Sequence, residues 1–312
     1  MTRSFVEALA ERPLLFEPVP PSARASPGRS ETVVDEITRL LASVPRLDAI
    51  DVPELIDENH DGRPYYRSGD TRGFARKLAD RVGRDVIVNK VVAHLESSEG
   101  VAEWGRETVR RGVKHAVLVG GSSRYIPYPG PSVLEANRIV RPELERAGGV
   151  VGNIAIPQRM GEAHRMLAKT RSGAAFFTTQ IVFDGESVLR MLREYEPLCL
   201  QAGLAPAAVI LSVAPIADEG DAEFVRWLGA DIPEAAERAI LNGDERQASP
   251  RSIDRALGVY RAVRAGAASA GLTVAIGVNV EQISQRHLAS AAEMLQAFAQ
   301  TVDEPVAPIV PS

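Results

Sequence analysis

Apolar residues along this chain fall into two alternating patterns. Short runs rich in β-branched residues occur at 14–16, 48–52, 85–92, 115–119, 150–156, 174–179, 207–213 and 272–278. Their length suits strands buried on both faces. Longer stretches between them space apolar residues three or four apart. In 32–43, Val33, Ile37, Leu40 and Leu41 share one helical face, and in 71–82, Phe74, Leu78 and Val82 recur every fourth residue. The same spacing returns over 101–111, 132–146, 162–170, 186–202, 252–270 and 284–301.

Strands alternating with helices predict right-handed crossovers and a parallel sheet. Eight such units in 312 residues favour an α/β fold of the (β/α)8 TIM-type barrel class over a doubly wound sheet. The expectation is a single domain with extra helices near the seventh and eighth units, between Ala217 and Gly258. Residues 1–12 read as an N-terminal leader, 13–301 as the barrel and catalytic domain, and 302–312, with three prolines, as a C-terminal tail.

Charge and cysteine usage narrow the function classes. The net charge is −5 and the arginines are scattered, so no nucleic-acid partner is expected. Cys199 is the only cysteine, which excludes an internal disulfide or cysteine cluster and reads as a small buried hydrophobe. There is no basic-then-apolar leader of signal type and no apolar run near the ~18 residues of a membrane span. No membrane partner and a cytoplasmic location are therefore expected. His60, His94, His115, His164 and His287 lack metal-site spacing, and no serine elbow is present. No metal is expected.

In a barrel, functional groups gather where strands run into the following loops. The polar residues at those points are Glu17, Asp51, Glu54, Asn89, Lys90, Ser122, Ser123, Gln158, Gln180 and Asn279. Pro18, Pro20 and Pro21 end the strand at Glu17. Burial there would raise its pKa and keep it protonated as a general acid, the alternative being a surface glutamate. Gln180 offers donors and acceptors for the edge of a pterin or nicotinamide ring, or it caps a neighbouring loop. Asp184 reads as a helix N-cap. Gly120-Gly121-Ser122-Ser123 fits either a phosphate cradle or a tight turn. Lys90 binds an anion or faces solvent, and Asp51 and Glu54 either supplement Glu17 or cap a loop.

Two segments carry a family resemblance. Leu14-Leu15-Phe16-Glu17-Pro18-Val19-Pro20-Pro21 and Ser172-Gly173-Ala174-Ala175-Phe176-Phe177-Thr178-Thr179-Gln180-Ile181-Val182-Phe183-Asp184 resemble the methylenetetrahydrofolate reductase family, whose motifs read F-E-x-x-P-P and G-A-x-x-x-x-T-Q-x-x-F-D. Weaker islands are Gly112-Val113-Lys114-His115, Ala155-Ile156-Pro157-Gln158 and the run from Ile210 to Ile216, with Asn279 just after the last expected strand. The resemblance implies a barrel with Glu17 as general acid and Gln180 contacting substrate. Gln158, Asn279 and Glu54 would complete the substrate site, and Asn89, Lys90, Gly120, Gly121 and Ser122 the cofactor site.

The implied reaction belongs to one-carbon metabolism and methionine biosynthesis. It reduces 5,10-methylenetetrahydrofolate to 5-methyltetrahydrofolate with a hydride from NADH or NADPH, directly or through a flavin. FAD is the family cofactor. Here Gly120-Gly121-Ser122 stands where the family has R-G-D, Lys90-Val91-Val92-Ala93 replaces H-L-T-C, and Pro157-Gln158 replaces P-E. These departures fit a flavin-free branch, and equally a paralogue that has lost the reaction. The alternative function is a non-redox pterin- or corrinoid-associated barrel, a methyl-transfer or binding component. The expected partner is a small folate, and a homo-oligomer is left open.

Overall fold

The computed structural model describes residues 3–123 and 125–305. The rest of the expected tail, 306–312, lies outside the described residues. Eight strands form a closed, all-parallel barrel: β1 (Leu14–Glu17), β2 (Ala49–Val52), β3 (Asp85–Val91), β4 (His115–Val119), β5 (Val151–Ala155), β6 (Ala174–Thr179), β7 (Ala208–Val213) and β8 (Ile276–Glu281). β1 pairs with both β2 and β8, closing the ring. The eight surrounding helices are α1 (Pro27–Leu41), α2 (Thr71–Val82), α3 (Ser98–Arg110), α4 (Val133–Arg146), α5 (Glu162–Arg171), α6 (Gly185–Gln201), α7 (Ala248–Ser269) and α8 (Leu288–Thr301). The (β/α)8 architecture expected from the pattern is the one observed.

Alternation along the strands sorts the core into two layers. Leu15, Ala49, Ile87, Val117, Phe176, Ala208 and Ile210 fill the barrel interior. Their strand neighbours, including Leu14, Phe16, Ile50, Val52, Val86 and Val88, pack beneath the helices instead. This parity decides which later residues look into the mouth.

The segment read as a leader forms a short helix, Phe5–Ala8, held by a Ser4–Glu7 capping box. Phe5 is fully buried among the interior residues and meets Phe176 and His115 edge-on, each at 5.1 Å. It plugs the end of the barrel opposite the mouth. At the other end of the chain, Val302 is fully buried and Asp303 pairs with Arg46 at 2.6 Å.

Three features differ from the pattern reading. The last strand begins at Ile276 rather than 272, because the Thr273 and Val274 N–H groups donate to the Glu196 carboxylate of α6 (2.8–2.9 Å) instead of a sheet ladder. A hairpin of Ile56–Glu58 and Pro64–Tyr66 follows β2. Its signal in the sequence was Asp61-Gly62, a hairpin-turn dipeptide between two short runs. The expected extra helices are Glu219–Trp227 and Glu234–Leu241, both between β7 and α7. Among the described residues, no helix is long and apolar enough to cross a membrane.

Candidate functional site at the barrel mouth

Strand parity turns a set of polar side chains into the upper barrel. Glu17 shares a face with Leu15, Asp51 with Ala49, Asn89 with Ile87, and Ser212 with Ile210. Asn279 and Glu281 alternate with Val278 and Val280, which pack outward beneath the helices. The β1–β8 register places Glu281 beside Glu17, and Asp51 occupies the same level on β2. Three adjacent strands therefore each deliver one carboxyl group to the mouth.

These carboxyl groups have little water to hold their charge. Asp51 and Asn279 are fully buried, and Glu17 and Glu281 are partly exposed. Burial raises the Glu17 pKa well above the ordinary carboxylate range, and the nearby Glu281 and Asp51 push it further. The Asn279 amide works against this by donating to Glu17 Oε2 at 2.8 Å. Burial, then Glu281, lifts Asp51 to about 8, and burial lifts Glu281 to about 7. The group is built to hold protons near neutral pH.

Asn279 was expected just after the last strand but lies within β8. Its amide also donates to Ser212 Oγ at 3.3 Å. Glu281 was missed because the strand was ended at 278; the polar alternation Asn279-Val280-Glu281 was the available signal.

Several of the other expected site residues bond to groups within the protein. The Gln180 amide donates to the Leu228 carbonyl at 2.9 Å and accepts from the Ile181 N–H at 3.0 Å, tying β6 to the inserted segment. Gln158 lies in the turn after β5, part-exposed. Lys90 has the outward parity of Val86 and Val88, and it pairs with Glu54 at 2.6 Å under the Tyr66 ring. Glu54 also accepts from the Val91 N–H at 2.9 Å. Asp184 caps α6 by accepting from the Glu186 and Ser187 N–H groups, as expected.

A second cluster holds the hairpin over the mouth. Glu58 accepts from the Ser122 and Tyr128 hydroxyls, both at 2.6 Å, and lies 2.8 Å from His94 Nε2. Gly121 is required here, since a Cβ would fall 2.1 Å from the Tyr128 ring. At the insertion, Asp218 caps its helix while His287 Nδ1 lies 2.8 Å from Asp221, joining that helix to the loop after β8.

No protein-family model and no curated protein sequence matches the chain. Among solved structures, it is similar to an uncharacterized protein from Clostridium thermocellum that binds two copies of 5-methyl-5,6,7,8-tetrahydrofolic acid. The TM-score is 0.76 at 14% identity, covering 95% of this chain and 98% of that one. The likeness shows the fold. An oxaloacetate acetylhydrolase solved with oxalate reaches a TM-score of 0.48 at 14% identity, over 99% of this chain and 91% of that one. An aldo-keto reductase solved with NADPH reaches 0.47 at 14% identity, over 96% and 91%. Neither bears on the chemistry.

Proposed function

We propose that this chain binds a reduced folate and reduces 5,10-methylenetetrahydrofolate to 5-methyltetrahydrofolate with a hydride from NADH or NADPH. The observation that carries the reading is Glu17 at the mouth between Asp51 and Glu281, its pKa raised well above the ordinary carboxylate range by burial and its carboxyl group hydrogen-bonded by Asn279. Its support from outside is the similar barrel that binds a 5-methyl folate.

Glu17 gives its proton to the bridge nitrogen N10, the bond from that nitrogen to the methylene carbon breaks, and an N5 iminium ion forms. Hydride from the dihydronicotinamide then adds to the methylene carbon, leaving the methyl product and oxidised nicotinamide. Solvent returns the proton to Glu17. A positioned acid of this kind contributes roughly 10²- to 10⁴-fold.

The residues present do not fit a flavin dinucleotide. Ser122 already donates to Glu58, and Lys90 already neutralises Glu54. The Glu58 carboxylate, which already takes the Ser122 and Tyr128 hydroxyls, would repel a diphosphate at that loop. The hydride is therefore assigned to the nicotinamide directly. A second reading, a methyl-folate binding or methyl-transfer component, is favoured by the ligand of the similar barrel, which is the methylated form.

The test is an anaerobic assay with NADH or NADPH and 5,10-methylenetetrahydrofolate, with Glu17→Gln in parallel. Turnover lost in the variant supports the reductase. Tight 5-methyltetrahydrofolate binding without turnover, with either nucleotide and with added FAD, would sink it in favour of the second reading.

A further inference from the structure

Two loops leave the mouth ends of the neighbouring strands β7 and β8, and each brings metal-ligating side chains to one spot. The first supplies Asp218, at the start of the inserted helix Glu219–Trp227, and Asp221 in that helix's first turn. The second supplies His287, at the end of a short 3-10 turn that runs into α8. One ligand atom from each of the three lies within 4.8 Å of the others, the one such grouping of His, Cys, Asp and Glu among the described residues.

The contacts inside the cluster are those of donors standing side by side. His287 Nδ1 is buried and 2.8 Å from Asp221 Oδ2, but off the line of an N–H···O hydrogen bond. The same ring's Nε2 is 3.9 Å from Asp218 Oδ2, too far for one. Donors that share one ion at lengths of about 2.0–2.2 Å stand up to about 4 Å apart, and both separations fall within that span.

The backbone fixes the two carboxylates where they are. Asp218 Oδ1 accepts from the Asp221 N–H at 2.8 Å, and Asp221 Oδ2 accepts from the Ala217 N–H at 2.9 Å. Asp221 is nearly fully buried, whereas Asp218 and His287 stay part-exposed, so an ion can enter from the Asp218 side. A cavity of about 610 Å³ opens there, lined by Asp218, Glu219 and Glu245 against the single cation Arg286. Its surplus of negative charge draws cations toward the cluster.

We infer that Asp218, Asp221 and His287 form a site for a divalent transition-metal ion, Zn2+ fitting best. An imidazole nitrogen is a donor that Mg2+ and Ca2+ seldom take, and Zn2+ accepts it together with carboxylate oxygens. Three protein ligands leave a further position for water or a ligand in the cavity. Bound there, the ion clamps the insertion onto the loop after β8 and fixes the rim of the mouth between the last two units. The inference stands apart from the folate reading and uses none of its chemistry.

The experiment is calorimetric titration of the full, chelator-treated chain with Zn2+, Co2+, Mg2+ and Ca2+, paired with amide exchange. Wild type is expected to bind one Zn2+, and exchange should slow together at 218–228 and 282–288. Changing a residue that merely supports a metal ligand costs about 10- to 100-fold in affinity, so His287→Gln should weaken Zn2+ binding by at least about 100-fold. Asp218→Asn keeps the helix cap and should cost about 10-fold or more. His60→Ala, at the exposed His60–Asp61 pair, should leave the affinity unchanged. Melting curves without metal check that each variant folds.

No saturable binding of Zn2+ or Co2+ to folded wild type overturns the site. So does a Zn2+ affinity that survives in both His287→Gln and Asp218→Asn, or one that is lost in His60→Ala, since either places the ion elsewhere. Binding of Ca2+ or Mg2+ as tight as Zn2+ and indifferent to His287→Gln reduces the cluster to an acidic surface and overturns it as well.

Discussion

Replacing Asp51 with asparagine should stabilise the protein, and by more as pH rises. Asp51 is fully buried, and burial followed by the Glu281 charge lifts its pKa from 3.8 to about 8, with the Val52 N–H opposing the shift. A carboxyl group whose pKa is raised on folding keeps its proton in the native state and loses it in the unfolded chain. Its effect is therefore neutral below about pH 4. Stability then falls as pH rises toward 8, by roughly 1.4 kcal/mol per pH unit for one group. Across the three pH units from 4 to 7 this gives an upper bound of about 4 kcal/mol. Glu281 pushes Asp51 up by repulsion, so part of the effect belongs to the pair, and about 2–4 kcal/mol is expected for Asp51→Asn at pH 7. The assay is urea unfolding of both proteins at pH 5, 6, 7 and 8. The gap between them should widen with pH. A gap that stays constant from pH 5 to 8 would mean that Asp51 titrates as an ordinary aspartate, and the account of the mouth would be wrong.

Glu17→Gln should lower proposed reductase turnover by roughly 10²- to 10⁴-fold while leaving the folate dissociation constant within a few-fold, and a matched loss of binding would argue for a structural role. Phe5→Ala removes a fully buried ring from the barrel base and should cost about 3–5 kcal/mol in urea unfolding; a loss below about 1 kcal/mol would mean the base closes without it. Glu58→Gln weakens the acceptor shared by Ser122, Tyr128 and His94 and should cost about 1–3 kcal/mol locally. Amide exchange across residues 56–66 should quicken, and unchanged protection would show that the hairpin is held by other contacts.

The barrel was legible because each strand's apolar run is bounded by a helix with a clear three-to-four spacing. Glu17 was legible for a local reason: prolines end its strand at the carboxyl group. What failed did so where distant side chains decide the backbone. Leu272 to Val274 has the composition of a strand, yet Glu196 on α6 takes two of its N–H groups, and the strand begins later. That shift hid Glu281. Gln180 illustrates the same limit: its position at a strand end is local, but the Leu228 carbonyl it holds lies 48 residues on, in the insertion. Asp51 was visible as a polar residue at a strand end, while its full burial near the Glu281 charge is a property only of the closed ring.

The base of the barrel gathers both described ends of the chain. Arg3 pairs with Asp48, Arg46 with Asp48 and Asp303, and Arg12 donates to the Glu304 carbonyl. A short linker could join the two ends, and the chain could be reopened at the exposed Gly243 turn, remote from the mouth carboxylates in sequence. Such a circular permutant would make β8 and β1 covalent neighbours and separate the two inserted helices from α7. The ring is closed by hydrogen bonds between β1 and β8, so the order in which the ribosome supplies the eight units is a convention of this chain rather than a requirement of its shape.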